Sequence, residues 1–267
     1  MELRVASWNV DGWHTMRDEQ LRLLDKCGAD LALLQEVTPT SLDRLREAGW
    51  RGTSALELVA DDHTERRGAK PRFACAVLVR GDVTLVASSL VAGAPSPVRA
   101  SMARLDVQGS PVTAISAALP PGSMWGRAAK VAQADAIAGA VEDAGAPVVI
   151  GMDRNGPKFE HWQPAETEWW PEDPAHFFVE EASHGCGDVL DRWHESNPDA
   201  LRDAMQARPD GPREVSYVEH RADPPVRRRY DLIMASNALE VLNVGYRYQD
   251  AIEAGSDHGL VEATISF

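Results

Sequence analysis

The chain has 267 residues, 44% hydrophobic and 25% charged, enough apolar matter for a sizeable core, which excludes disorder along the whole length. Its formal net charge of −14 excludes a globally basic surface of the kind that neutralises duplex phosphates; Arg227, Arg228 and Arg229 form a dense basic run. Three scattered cysteines, Cys27, Cys75 and Cys186, exclude a disulfide framework and a paired-cysteine zinc site.

In chain order, the apolar alternation of Leu3 to Trp8 predicts a strand, and Gln20 to Cys27 has helical spacing that stops at Gly28. Leu31 to Leu34 predicts a short buried strand. Ser41 to Ala48 predicts a helix capped by Thr40 and stopped by Gly49. Phe73 to Arg80 and Val83 to Ser88 predict a hairpin around Gly81-Asp82, and Ala103 to Val107 and Val112 to Ala117 predict another, turned at Gly109-Ser110. Met124 to Val141 is the longest helical pattern and ends near Gly145; Pro147 then opens a strand over Val148 to Gly151. Tyr230 to Ala235, Leu239 to Tyr246 and Leu260 to Ile265 are the late strands. Gly156 to Pro198 holds Trp162, Trp169, Trp170 and Trp193, half of the eight tryptophans, without clear periodicity. It reads as a long loop region with short helices. No linker divides the chain, so one domain over 1–267 with a Trp-rich insertion at about 156–198 is expected. The opening MELRVASWNV has no signal-peptide apolar stretch and no run is long enough to span a membrane, so the expectation is a cytoplasmic location.

Five polar patches stand where apolar strands stop: Trp8-Asn9-Val10-Asp11-Gly12, Leu34-Gln35-Glu36, Gly151-Met152-Asp153-Arg154-Asn155-Gly156, Arg229-Tyr230-Asp231 and Ser256-Asp257-His258-Gly259. Each alone reads as turn or cap chemistry. As a set they put acids, amides and a histidine at strand ends, where sheet-based sites are built.

The ordered set WNxxG, LQE, GxDxN, RxD, SDH resembles the endonuclease/exonuclease/phosphatase superfamily, with its motifs spread over residues 8 to 258. The resemblance implies a four-layer α/β sandwich: two packed, mainly antiparallel sheets flanked by helices. It implies a divalent-metal-dependent phosphoesterase using Mg²⁺ or Mn²⁺, because phosphoester hydrolysis needs a Lewis acid and hard cations take oxygen ligands. Glu36 then corresponds to the principal metal ligand, with Asn9 and Asp257 beside it. Asp153 corresponds to the residue that orients or deprotonates water, Asn155 to an amide donor to phosphate, His258 to the histidine on the scissile phosphate, and Asp231 to its carboxylate partner. The remaining histidines, His14 and His184 among them, have no comparable context.

Two departures from the family pattern stand out. The stretch Ile115-Ser116-Ala117-Ala118 has alanines where many members carry a His or Tyr, so no side chain there can protonate a leaving group. Met152 separates Gly151 from Asp153, which predicts a loop reset by one residue. The partner is expected to be a phosphoester, either nucleic acid or small molecule; the acidity and only four lysines tilt away from duplex DNA. No obligate protein partner is implied. Trp169 and Trp170 are candidates for contacting a base or an apolar substrate part, or for anchoring their loop. The alternative reading is a catalytically impaired binding module that retains the fold, motivated by Ala117 and Ala118.

Overall fold

The computed structural model describes residues 1–65, 68–121, 125–170 and 184–267. The chain opens with a β-α-β unit: β1 (Glu2–Asn9), α1 (Asp18–Lys26) and β2 (Leu31–Val37), with β1 and β2 parallel, Val5 opposite Leu31 and Asn9 opposite Gln35. A second such unit is built from β7 (Ser110–Ala118), α3 (Arg127–Glu142) and β8 (Val148–Asp153), where Thr113 lies opposite Val148 and Ala118 opposite Asp153. Each unit forms the middle of a six-stranded sheet. The first sheet runs β13-β14-β1-β2-β4-β3, with β3 (Arg51–Ser54), β4 (Ala74–Val79), β13 (Glu240–Arg247) and β14 (Leu260–Ser266). The second runs β5-β6-β7-β8-β12-β9, with β5 (Val83–Leu90), β6 (Ala100–Val107), β9 (Cys186–Asp188) and β12 (Asp231–Ser236). All other pairings in both sheets are antiparallel.

Three apolar layers hold this stack together. Leu3, Val5, Leu31 and Leu33 of the first sheet meet Ala103, Leu105, Val149 and Ile233 of the second. Residues of opposite parity, Ala6, Trp8, Ala32 and Leu34, face outward onto Leu23 and Leu24 of α1, Leu42 and Leu45 of α2 (Pro39–Glu47), and Ala251 of α6 (Tyr248–Ala254). Ile115, Ile150 and Met152 of the second sheet bury Ala134, Ile137 and Val141 of α3. The expected four-layer α/β sandwich with mainly antiparallel sheets is therefore the fold. Because side chains alternate across a strand, the central strands are apolar on both faces and read as continuous runs. Two further helices, α4 (Val189–Ser196) and α5 (Pro198–Ala207), follow β9, and a two-stranded ribbon, β10 (Tyr217–Glu219) with β11 (Val226–Arg228), precedes β12.

Three sequence expectations change. Phe73 to Ser88 is not a hairpin: β4 pairs with β2 and β3 in the first sheet, β5 with β6 in the second. With partners on both edges, β4 has no free edge for β5, and the Gly81-Asp82 turn carries the chain between sheets. The cap of α2 is Thr38, whose Oγ1 accepts from Ser41 N at 3.1 Å, because Pro39 occupies the first helical turn. The described part of the stretch from Gly156 to Pro198 holds the expected short helix, α4, and a strand not expected, β9; residues 171–183 and Met124 lie outside the described residues. The second hairpin forms as expected, but its turn is Gln108-Gly109, since Val107 lies opposite Ser110.

Candidate active site

The carboxyl ends of both parallel pairs meet on one edge of the sandwich, the end at which open α/β sheets bind ligands. Two contacts bring them together. Asn9 Nδ2, at the end of β1, donates to Asp153 Oδ2, at the end of β8 (3.2 Å). Gln35, fully buried, donates from Nε2 to Ser116 Oγ (3.2 Å) and to the Gly151 carbonyl (3.2 Å), tying β2 to the opposite sheet. Gly151 permits this approach: a Cβ there would lie 2.6 Å from Leu33 Cβ and 2.7 Å from Ser7 Oγ. Met152 resets nothing. It continues β8 with its side chain in the α3 layer, while Gly151 and Asp153 both face the other sheet.

Asp153 is buried, and its carboxylate accepts from Asn155 N (2.9 Å), Asn155 Nδ2 (3.1 Å) and Asn9 Nδ2 (3.2 Å). Burial raises its pKa, opposed mainly by the nearby His258 charge. The second amide hydrogen of Asn155 goes to the Leu119 carbonyl (2.9 Å), so both are already engaged with protein and Asn155 orients Asp153. Lys130 of α3 donates to the Asn155 carbonyl (3.0 Å), fixing the same turn.

Asp231 begins β12 opposite Asp153, and its Oδ2 lies 2.8 Å from His258 Nδ1. The two side chains therefore meet. Ser216 Oγ accepts from the backbone N–H groups of Tyr230 and Asp231 (both 2.9 Å), and Tyr246 Oη donates to the Asp231 carbonyl (3.1 Å). His258 is clamped to β1: Trp8 Nε1 donates to its carbonyl (2.9 Å), and Ser256 Oγ accepts from its N–H (3.1 Å) while donating to the Asn9 carbonyl (2.7 Å). Tyr217 packs on the imidazole at 5.0 Å between centroids and stacks on Tyr230 at 5.2 Å. Burial works against a charged His258, but Asp231 and then Asp153 outweigh it and push its pKa up to about 10. One ligating atom from each of Asp153, Asp231 and His258 falls within 4.8 Å of the others.

Glu36 stands at a β-bulge, where the β2–β4 register slips between Leu34 and Val37. Its φ of 60° is left-handed, a costly conformation for a non-glycine residue. Asp11 (58°) and Asn155 (48°) share it at the same edge. Gly12 N donates to Glu36 Oε2 (3.2 Å), and a Cβ on Gly12 would lie 2.5 Å from the Glu36 carbonyl. Burial raises the Glu36 pKa, opposed chiefly by Arg99. Among the described residues Glu36 has no ion-pair partner. A partly desolvated carboxylate with no direct ion pair, beside the Asn9 amide, is an all-oxygen donor set suited to a hard divalent cation. Asp257 is exposed, and its charge reaches His258.

The sequence reading does not single out Ser216, Tyr217 or Tyr246, which hold Asp231 and His258; they lie far from the motifs and carry no spacing signal. It leaves Arg227 to Arg229 open as a basic groove, but only Arg227 is exposed. Arg229 is fully buried, bonded to Glu160 (2.7 Å) and paired with Asp188 (2.7 Å), and Arg228 lies over the Trp170 and Tyr230 rings at 5.4 and 5.8 Å. Trp169 and Trp170 differ: Trp169 packs partly buried on the α3 layer with Arg154 over its ring at 5.6 Å, whereas Trp170 is 40% exposed.

The sequence pattern of the Endonuclease/Exonuclease/phosphatase family matches residues 6–258, and the chain belongs to that family. Membership supports phosphoester hydrolysis as its general chemistry. No curated protein matches the chain in sequence. Among solved structures, D. rerio TDP2 complexed with single strand DNA product is similar at a TM-score of 0.67 and 15% identity, covering 100% of this chain and 99% of that one. An endonuclease/exonuclease/phosphatase from Bacteroides vulgatus is similar at 0.68 and 14%, covering 100% and 99%. The human Nocturnin catalytic domain with bound sulfate anion is similar at 0.64 and 17%, covering 100% and 94%. At these identities the likeness speaks for the fold.

Proposed function

We propose that the chain hydrolyses phosphate esters with the help of Mg²⁺ or Mn²⁺, at the edge where β1, β2, β8 and β12 meet. The observation that carries the reading is the buried Asp153–Asp231–His258 cluster, with its atoms within 4.8 Å and Asp231 bonded to His258 Nδ1. Glu36 and Asn9 would hold the cation, with exposed Asp257 only an outer support. When bound, the cation neutralises charge on the phosphate and leaving oxygens.

Asp153 takes a proton from the attacking water. Its raised pKa makes it a stronger base than a solvated carboxylate, and the donors from Asn9 and Asn155 keep it ionised and aimed. With Nδ1 engaged by Asp231, His258 directs Nε2 at a phosphate oxygen and donates to it as imidazolium. No side chain at Ala117 or Ala118 can protonate the leaving oxygen, so esters with good leaving groups are turned over fastest.

The test is a panel of single- and double-stranded nucleic acid, nucleotides, inositol phosphates and methyl 4-nitrophenyl phosphate, with Mg²⁺ or Mn²⁺ and with chelator. Cation-dependent turnover that chelator abolishes is expected. Turnover of none, with cation binding retained, would make the chain a binding module.

A further inference from the structure

Beside Glu36 and Ala118 opens a cavity of about 190 Å³, walled by Trp13, Glu65, Arg72, Phe73, Arg99 and Trp125 among the described residues. Trp13 follows β1 and is 65% exposed, the most exposed large apolar residue described. Phe73 meets it edge-on at 6.0 Å and 72°. Each tryptophan has an arginine over its ring: Arg72 at 5.3 Å from the Trp13 centroid and Arg99 at 5.4 Å from that of Trp125.

These walls define a chemistry. Aromatic faces favour a flat ring, and solvent-exposed indole area is a standing gain for any apolar group that covers it. Arg72 and Arg99 share the lining with the carboxylates of Glu36 and Glu65, so the cavity offers two guanidinium groups to an anion without a net positive charge, and Arg99 is close enough for Glu36 to feel its charge. A dry apolar cavity of about 150 Å³ accepts benzene. A volume of about 190 Å³ therefore has room for one ring with a small substituent. The smallness of Ala118, next to Asp153 across the β7–β8 pair, leaves the cavity continuous with the catalytic edge.

We propose that this cavity seats an aromatic ring attached to the scissile phosphate, held against Trp13 with Arg99 near the phosphate end. The proposal rests on the hydrolase reading above and names the substrate class for that site. The ring can be an aryl group borne directly on phosphate or a nucleobase one sugar away; the recognition is the same.

The experiment is calorimetric titration, in Mg²⁺, of phenylphosphonate, adenosine 5′-O-phosphorothioate and methylphosphonate into the wild type, Trp13→Ala and Ala118→Leu. At least one ring-bearing ligand is expected to bind roughly tenfold more tightly than methylphosphonate, the scale of stacking on one aromatic side chain. Whichever ligand does so identifies how the ring is attached. That gap should narrow in both variants, with the melting temperature of Ala118→Leu confirming its fold; Trp13 is too exposed for its loss to unfold the chain. Equal affinity for all three ligands, or a gap unchanged by both substitutions, overturns the proposal. Turnover of methyl 4-nitrophenyl phosphate, measured in parallel, separates the two readings. Ring preference without turnover leaves the cavity standing and removes the hydrolase, and turnover without preference does the reverse.

Discussion

Glu36 combines a left-handed φ of 60°, a pKa raised by burial and a single backbone donor from Gly12. The desolvated charge, which that one donor only partly offsets, is a cost in the cation-free protein that a neutral amide does not carry. Glu36→Gln should therefore leave the cation-free melting temperature equal to or above the wild-type value while sharply weakening Mg²⁺ binding by calorimetry. Unchanged Mg²⁺ affinity and turnover would remove Glu36 from the cation site. Asp153→Asn keeps the shape but cannot take a proton, so turnover should fall by about 10²–10⁴-fold with cation affinity nearly preserved. A loss below tenfold at saturating cation and substrate would show that Asp153 is not the base. Asp231 and His258 share one hydrogen bond of 2.8 Å and should act as a unit. The Asp231→Asn, His258→Asn double variant should be little slower than the worse single one. Multiplicative losses in kcat would separate their roles.

At the scale of elements, Asp153 and Asp231 are anchored through arginines adjacent to them in the chain. Arg154, after Asp153, and Arg229, two residues before Asp231, both turn into a buried ionic cluster around Glu160, at 2.8 and 2.7 Å. Arg213 from the segment after α5 and Asp188 at the end of β9 complete it, with Asp191 of α4 paired to Arg213. Three arginines and three acids balance, so burying them is tolerable, but removing one leaves uncompensated charge at about 3–5 kcal/mol. Burial alone would raise the Glu160 pKa; Arg213, Arg229 and Arg154 outweigh it and hold the carboxyl far below the usual range. A depressed folded pKa contributes stability that is fully present above the unfolded value near 4.3 and is lost as pH falls through that range. Glu36 and Asp153, raised by burial, act with the opposite sign, so the wild type alone does not isolate the effect. The melting-temperature difference between wild type and Glu160→Gln should be large at pH 7 and shrink steadily below about pH 4. A difference independent of pH would mean that the charge on Glu160 does not stabilise the fold.

For the whole molecule, charge and burial act together. Among the described residues, the run Arg227 to Arg229 supplies no basic groove to relieve the net charge of −14, because Arg228 and Arg229 are buried. Non-specific duplex binding depends on cations that release counterions. Labelled 20-base-pair DNA should therefore fail to saturate at about 10 μM protein and physiological salt in fluorescence anisotropy, a range in which basic proteins do saturate. Sub-micromolar binding with a steep salt dependence would overturn this. The same whole-molecule view explains Gln35: a motif residue beside Glu36 whose amide joins the two sheets.

From the sequence alone, the alternation of apolar strands, the long Ala-rich helix and the polar residues at strand ends are legible, because periodicity and chain stops are local properties. That Asn9, Glu36, Asp153, Asp231 and His258 belong together is legible only through their order as a family pattern. Which strands pair is not: the turn at Gly81-Asp82 looks alike whether β4 and β5 form a ribbon or part into separate sheets, and the free edges that decide it belong to β3 and β6. Nor is the fate of charge. Arg229 reads as part of a basic surface until Glu160 and Asp188, 69 residues away in one case, fold against it. Tyr217 acquires meaning only when the ribbon lays it on His258. Local patterning determines what each segment can bury. Long-range packing decides which charges meet, because an ion pair depends on distance in space and leaves no period in the chain.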